Sequence, residues 1–245
     1  MKIKILVSFA LLLSFSCISF AQAVKITPKK TVYKRIVKKG FAHKRNFTVI
    51  RPQVSGLSAA MNRKIENAIS FERIFDFNLK EELTEIYWLE NADFKTEYNR
   101  NGILGIALTM DGSGAYPSTY TKHVVVDTKT GLQIKPGDIF TSGKTAELIN
   151  LLDNKLQERM KLAVAEVKKD SAEDSVALTE MLTEKKFAAE NLNHFSVNDK
   201  GVTFYYDYGF PHVALALEPN GEFTLNYTDL KPFIKQGGLL AKFVR

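Results

Sequence analysis

The sequence is nearly free of cysteine, and this absence excludes several classes of site. Its single cysteine, Cys17, lies in the apolar N-terminal segment. Residues 24–245 therefore have no disulfide, no thiol nucleophile and no thiolate metal ligand. The remaining chain of about 222 residues does not need such cross-links, because a domain of that size buries enough apolar surface to fold without them.

Motifs for metal binding and catalysis are absent as well. The four histidines, His43, His123, His194 and His212, show none of the spacings of zinc ligands. No G-x-S-x-G nucleophile elbow occurs. The Gly-Lys-Thr run at 143–145 lacks the upstream glycine that a phosphate-binding loop needs. We therefore expect no bound metal and no cofactor, and no motif identifies a catalytic residue.

The N-terminus has the pattern of a cleavable secretory signal peptide. Lys2 and Lys4 precede an apolar run over residues 5–15, and small residues at Ala21 and Ala23 form an A-x-A cleavage site. The apolar run is too short and too rich in serine to span a bilayer comfortably. We expect a periplasmic or secreted protein, cleaved near Ala21 or Ala23, with no transmembrane span in the mature form.

A lipoprotein is the alternative form of export. Ser16 provides the small residue that lipoprotein processing needs before Cys17, so the mature chain could be anchored at that cysteine. The bulky Phe15 and the later A-x-A site favour release by simple cleavage instead. Both forms place the folded part of the chain outside the cytoplasm.

Positive charge is concentrated directly after the signal segment. Residues 24–47 hold nine basic residues and no acidic one, and the chain that follows is net acidic. This segment could contact a polyanion, such as an anionic wall polymer or lipid head groups, through Lys29, Lys30, Lys34, Arg35, Lys38 and Lys39. We favour a solvated tether or a first strand with lysines on its outer edge. Nucleic acid is not an expected partner, because no recognition motif accompanies the charge.

The hydrophobic pattern changes its period along the chain and predicts an α+β fold. Helical spacing predicts a helix capped by Ser58, a segment over 79–87, a long helix over 144–168, a weaker helix to about Ala189 and a short closing helix over 229–233. Strand-like runs occur at residues 47–50, 94–98, 103–110, 123–127, 195–197, 202–207, 213–217 and 223–227. Because the strands come in runs, we expect antiparallel sheets with helices packed on one face, in two small lobes.

Two segments rich in aromatic residues are candidate binding sites. Tyr116 and Tyr120 lie in a run of Ser, Thr and Tyr, which predicts an exposed loop suited to sugar or protein contact. Tyr206, Asp207 and His212 belong to a second, denser aromatic segment, in which Asp207 and His212 could line an acid–base site. The favoured alternative for this second segment is that its aromatic residues fill the core and flank a kink.

Part of the sequence resembles a known pair of extracytoplasmic domains. The resemblance to the C-terminal domain of the RsiV family of lysozyme-sensing anti-sigma factors is carried by residues 131–140, 195–197, 201–206 and 223–233. Residues 52–56, with Asn62 and Ile65, are similar to the companion domain that precedes it in the RsiV family and in the PdaC family of wall deacetylases. The likeness covers about residues 45–236 and consists of strands, turns and a helix stripe.

The resemblance implies an extracytoplasmic α+β module of largely unknown function, often found in wall-associated or sensing proteins. In the RsiV family the domain binds lysozyme, and in the PdaC family the catalytic part is a separate domain. We expect the chain to divide into a signal peptide (1–23), a basic segment (24–46), an N-terminal lobe (47–130), an RsiV-like lobe (131–236) and a tail (237–245).

Three classes of function are consistent with these observations. The first is a non-enzymatic envelope module that binds or senses a protein ligand such as lysozyme, or a glycan such as peptidoglycan. The second is a hydrolase or transferase that acts on envelope polymers through Asp207, His212 and a carboxylate at a turn, for which the candidates are Glu218, Glu222 and Asp229. The third is a purely structural role in the envelope.

Overall fold

The computed structural model describes residues 23–37 and 42–244. The predicted signal peptide up to residue 22, including Cys17 and Ala21, lies outside the described residues, as do Lys38 and Lys39. Within the described ranges, no helix is both long enough and apolar enough to cross a membrane.

The described residues form two sheets, one of six strands and one of three. The six-stranded sheet contains, in spatial and sequence order, β1 (Lys25–Lys34), β2 (Asn46–Ser55), β3 (Leu89–Arg100), β4 (Ile103–Ser113), β5 (Pro117–Asp127) and β6 (Leu132–Gln133). The three-stranded sheet contains β7 (Phe195–Val197), β8 (Gly201–Tyr205) and β9 (Glu222–Asn226).

Seven α-helices accompany the sheets. Their bounds are α1 (Ala59–Ala68), α2 (Phe71–Ile74), α3 (Leu79–Glu81), α4 (Pro136–Ile139), α5 (Thr145–Asp170), α6 (Ala172–Leu182) and α7 (Tyr227–Leu230) among the residues described. A π-helical turn follows α3 at Glu82–Ile86, and a 3-10 helix lies at His212–Leu217. The predicted α+β class with two sheets and packed helices is therefore confirmed.

One strand pair departs from the expected antiparallel arrangement. β2 and β3 run parallel, and their register is limited to Thr48 opposite Asn91 and Val49 opposite Ala92. Parallel neighbours require a long crossover, and here the connection contains α1, α2 and α3. The helices between the strand runs therefore allow β2 to join the sheet in the parallel direction.

The first lobe packs α1 against one face of the six-stranded sheet. Ser58 accepts a hydrogen bond from the backbone N–H of Met61 (3.3 Å), so the predicted N-cap is confirmed. Ile65 on α1 is fully buried, and so are Leu104 and Ile106 on β4, in the same hydrophobic cluster. Because alternate residues of a strand point to the same face, Leu104 and Ile106 identify the face of β4 that packs against α1.

The second lobe packs α5 and α6 against the three-stranded sheet. The predicted helix stripe is confirmed, because α5 buries Leu148, Leu152, Leu156 and Met160. This core also includes Tyr98, Ile103 and Val125 from the first sheet, so the two lobes share buried surface. The tail joins it through Leu240, which is fully buried, and through Phe243, whose ring stacks on Tyr227 with centroids 4.6 Å apart.

Four predicted element assignments are wrong. Residues 213–217 form a 3-10 helix instead of a strand; Pro211 precedes it, and short apolar runs fit either structure. The helix expected to reach Ala189 ends at Leu182, close to Glu184 with its positive φ of 64°. β2 continues through Pro52, which is tolerated because pairing with β3 has ended at Val49.

The fourth wrong assignment is the predicted exposed loop around Tyr120. Tyr120 lies inside β5, opposite Met110 of β4, and not in a loop. The turn that joins these two strands is confined to residues 114–116, so Tyr116 alone occupies it. The run of Ser, Thr and Tyr therefore continues the sheet, in keeping with the strand propensity of Thr and Tyr.

The basic segment forms the edge strand β1 and not a free tether. Lys29, Lys30 and Lys34 are exposed on it, as expected for an edge strand that carries lysines. Arg35 was predicted as a polyanion contact, and the structure contradicts this. Its side chain is buried, it donates to the backbone oxygen of Lys44 (2.7 Å), and it forms an ion pair with the buried Glu82.

Candidate functional site

A groove lies where β5 of the first sheet faces the segment that follows β8 in the second lobe. We call it the inter-lobe groove, and its volume is ≈ 520 Å³. This lies within the usual range of ligand-binding clefts, about 300–1,000 Å³. It is lined by Thr119, Tyr120, Thr121, Lys122, His123, Asn191, His194, Tyr205, Tyr206, Asp207, Tyr208, Leu215, Glu218, Pro219 and Gly221.

The wall opposite β5 is built by the chain reversal after β8. β8 ends at Tyr205, and Gly209 takes a positive φ of 67° to turn the chain. The backbone N–H of Gly209 donates to the carboxylate of Asp207 (2.7 Å), which holds this exposed side chain at the turn. Tyr208 is buried and packs edge-on against Tyr206, with centroids 4.9 Å apart.

A close backbone contact holds the segment after β8 against the turn before β9. The backbone N–H of Tyr206 donates to the carbonyl oxygen of Gly221 (2.8 Å), so the segment after β8 is tied to the turn before β9. A Cβ at position 221 would lie 2.0 Å from the carbonyl oxygen of Tyr206. Only glycine allows this approach, so Gly221 is required for the shape of the groove.

The two lobes meet at an aromatic stack beside the groove. The ring of His123 on β5 lies 3.7 Å from that of Tyr205 on β8, and the rings are inclined by 4°. His123 Nδ1 lies 2.9 Å from the Glu97 carboxylate, and the Tyr205 hydroxyl lies 2.9 Å from that of Ser196. Burial raises the pKa of Tyr205 to about 12, so this phenol stays protonated at neutral pH.

The groove carries two carboxylates with no ion-pair partner. Burial, and then the charge of Asp207, raise the pKa of Glu218 above its ordinary value. Among the residues described, neither Asp207 nor Glu218 forms a salt bridge. Burial and the charge of Lys122 lower the pKa of His194, which favours its neutral form. This side of the groove therefore carries two acidic side chains that no salt bridge holds, and the charge of Lys185 acts on Glu218 without direct contact.

The structure brings the five predicted site residues to one region. Tyr120, Tyr206 and Asp207 line the groove. Tyr116 directly precedes β5, and His212 begins the 3-10 helix that follows β8. Their rings stack on each other, with centroids 4.7 Å apart and planes inclined by 19°. Asp207 lines the groove and His212 does not, and no hydrogen bond joins the two in the described part of the chain.

Several groove residues were not predicted as part of a site. Lys122, His123 and His194 line it, although the spacing of the histidines indicated no site. Their sequence neighbours give no signal, because the groove forms only when β5 meets the second lobe. Glu218 had been considered as a turn carboxylate, and the turn places it in the groove. Within residues 23–37 and 42–244, no group of three or more His, Cys, Asp or Glu side chains could hold a metal ion.

Two solved structures are similar to this chain over most of its length. A DUF3298 family member from Bacteroides fragilis superposes with a TM-score of 0.56 at 15% sequence identity, over 90% of this chain and 98% of that one. A DUF3298 family protein from Pseudomonas aeruginosa gives a TM-score of 0.49 at 13% identity, over 87% of this chain and 95% of that one. No family model and no curated protein matches the sequence.

At such low identity the likeness to the Bacteroides fragilis protein concerns the fold alone. It supports the coarser part of the predicted relationship, which is a domain family of unknown function. It does not extend to the RsiV or PdaC families specifically. The chain therefore has the fold of a DUF3298 family structure, with a groove between its lobes lined by tyrosines and carboxylates.

Proposed function

We propose that the chain is a non-enzymatic binding or sensing module of the cell envelope, which takes its ligand in the inter-lobe groove. The observation that carries this proposal is the convergence of residues from two distant segments on one groove. Tyr120 comes from β5, and Tyr206 and Asp207 come from the turn after β8. A groove at the junction of two lobes is a common location for a ligand site.

The exposed aromatic residues suit contact with a protein or a glycan. Tyr116 and Tyr120 are 64% and 56% exposed, so both present most of their rings to solvent at the mouth of this region. Tyrosine offers a large contact area at low cost in side-chain entropy. The resemblance to the RsiV family suggests a lysozyme-like protein or peptidoglycan as the ligand, and the signal-peptide pattern suggests the envelope as the compartment.

The test is retention of the purified protein on immobilised lysozyme and on insoluble peptidoglycan, at low salt and at ~0.5 M salt, where exposed-charge attraction is screened. We expect the unmodified protein to bind one of the two ligands at both salt concentrations. We expect the Tyr120→Ala variant to bind that ligand at least about tenfold more weakly. Leu162→Ala is the matched control, because Leu162 is a 63% exposed apolar residue of α5 outside the groove. Equal binding by both variants would contradict the proposal.

The exposed lysines of β1 define a separate contact to be distinguished in the same experiment. Lys29, Lys30 and Lys34 could hold an anionic wall polymer by charge alone. Binding through them would be lost at ~0.5 M salt. It would also fall in a triple Lys→Gln variant of these residues, whereas Tyr120→Ala would leave it intact.

A second candidate function rests on the two carboxylates. Asp207 and Glu218 both line the groove, and burial raises the pKa of Glu218, which favours its protonated form beside a second carboxyl group. This pairing suits a hydrolase or transferase of envelope polymers, with Glu218 in the role first considered for His212. Release of reducing sugar ends from peptidoglycan, abolished by both Asp207→Asn and Glu218→Gln, would favour it. Absence of turnover by the unmodified protein would exclude it for this substrate.

A further inference from the structure

One edge of β5 has no partner strand where it borders the inter-lobe groove. β5 pairs with β4 from Pro117 to Asp127, but it pairs with β6 only at Val126 and Asp127. Over residues 118–124, the second edge of β5 therefore has no hydrogen-bonded partner strand in the described part of the chain. An unpaired edge is a template for another extended chain.

One hydrogen bond shows which backbone groups face this edge. The N–H of Ile134 donates to the carbonyl oxygen of Val125 (2.8 Å), so the backbone groups of Val125 point away from β4. Successive residues of an antiparallel strand direct their N–H and C=O to alternate sides. Thr119, Thr121 and His123 therefore direct these groups to the free edge, and no described backbone group outside the β4–β5 ladder bonds to them.

The groove follows this edge and not one face of the sheet. Consecutive side chains of a strand point to opposite faces, so a pocket on one face would contact every second residue. The inter-lobe groove is lined by all five residues from Thr119 to His123. Four of them, Thr119 to Lys122, are exposed. The space beside the edge is therefore open to an extended chain that lies alongside β5.

The acidic side chains on the opposite wall indicate the charge of the ligand. Asp207 and Glu218 lie on that wall without ion-pair partners among the described residues. Lys122 does not neutralise them by direct contact, because its ammonium group donates to the carbonyl oxygen of Ile74 (3.0 Å). A cationic side chain of the occupant would therefore find two carboxylates there.

We propose that the occupant is an extended peptide segment of a partner protein, which adds to the free edge of β5 and places a lysine or arginine side chain against Asp207 and Glu218. The inference rests on the proposed binding function of the groove and specifies the chemistry of its ligand. Backbone hydrogen bonds to Thr119, Thr121 and His123 provide affinity, and the carboxylates provide selectivity. A glycan cannot reproduce the regular ladder of N–H and C=O groups that the edge requires.

The probe is an end-capped octapeptide of alternating valine and lysine, labelled for fluorescence anisotropy with the full-length purified protein. Two matched peptides isolate its features. One carries N-methyl groups on alternate amides and so lacks the donors of one edge, and the other replaces lysine by glutamate. We expect the first peptide to bind and both matched peptides to bind at least about tenfold more weakly. Equal binding of the N-methylated peptide, or no binding of the first peptide at about 1 mM, overturns the proposal.

Thr121→Pro is the matching change in the protein, because it removes one N–H at the free edge and leaves the β4 ladder intact. We expect at least about a tenfold loss of affinity for the valine–lysine peptide. Thr121→Ala keeps the N–H and should change the affinity less than about twofold. Equal far-ultraviolet circular dichroism and equal unfolding midpoints establish that both variants are folded. Binding equally strong in a folded Thr121→Pro variant overturns the proposal.

Two outcomes separate this inference from the proposed function. If Tyr120→Ala abolishes retention on peptidoglycan or lysozyme while Thr121→Pro does not, the groove binds its ligand without strand addition, and this inference fails alone. If neither variant changes retention, the groove is not the site and the proposed function fails as well. A dimer in sedimentation velocity that Thr121→Pro converts to a monomer would show that a second copy occupies the edge, which overturns the assignment to a partner protein.

Discussion

His123 and Tyr205 form the closest aromatic contact between the two lobes, with ring centroids 3.7 Å apart and planes inclined by 4°. A double-mutant cycle with His123→Ala and Tyr205→Ala should give a coupling of about 1 kcal/mol in the free energy of unfolding, the usual range for an aromatic pair. The measurement is urea unfolding followed by tyrosine and tryptophan fluorescence. Strictly additive losses would show that the rings are adjacent without stabilising the junction.

The buried pair Arg35–Glu82 predicts a large effect on the stability of the first lobe. Arg35 donates to Glu82, and the Glu82 carboxylate also accepts from the backbone N–H of Leu89 (2.9 Å). Arg35→Met should cost about 3–5 kcal/mol of unfolding free energy, because it leaves a buried carboxylate without its partner. Combining it with Glu82→Leu should recover part of this loss. Thermal unfolding of the two single variants and the double variant measures both effects.

Gly221 should tolerate no side chain, in contrast to Gly143. A Cβ at 221 would lie 2.0 Å from the carbonyl oxygen of Tyr206, whereas a Cβ at 143 would meet nothing within 4 Å. We expect Gly221→Ala to lose more than about 2 kcal/mol of unfolding free energy and to weaken ligand retention. Gly143→Ala is the matched control and should behave as the unmodified protein. Normal stability in Gly221→Ala would show that the turn before β9 can shift away from Tyr206.

Alkaline titration should show tyrosines that ionise late. Burial raises the pKa values of Tyr205 and Tyr208 to about 12, and it raises that of Tyr227 as well. The fold favours their protonated form, so the stability they contribute is present below pH ~10 and is lost as the pH rises towards 12. Absorbance at the phenolate band should show early and late phases. Tyr205→Phe should reduce the late phase and flatten the fall of stability in this interval.

The sequence predicted α5 of the second lobe well because its signal is local. The stripe from Leu148 to Met160 repeats with the helical period, and α5 buries it as expected. Residues 213–217 were mistaken for a strand because a short run of small and apolar residues has no decisive period. The parallel pairing of β2 with β3 depends on a long crossover, which a local pattern does not report.

The sequence identified some of the residues that line the groove, but it did not predict the groove itself. Tyr120, Tyr206 and Asp207 were identified by composition, and they line one groove. Lys122 and His194 were missed because their importance depends on β5 approaching the second lobe, a contact between segments about 70 residues apart in the sequence. Arg35 was assigned to the surface by its charge, since burial in an ion pair depends on Glu82, which lies in a different element.

The parallel seam between β2 and β3 also has a consequence for local unfolding. Only Thr48–Asn91 and Val49–Ala92 are in register across it, whereas β1 and β2 are paired along ten residues each. β2 buries Phe47, Val49 and Val54 in the core of the first lobe, whereas no residue of β1 from Lys25 to Lys34 is buried, so local opening should begin at β1. Amide hydrogens of β1 should therefore exchange with solvent sooner than those of β4. Partial opening would release the lysine-bearing ribbon, from Lys25 to Lys34, as an extended basic arm anchored to an intact body.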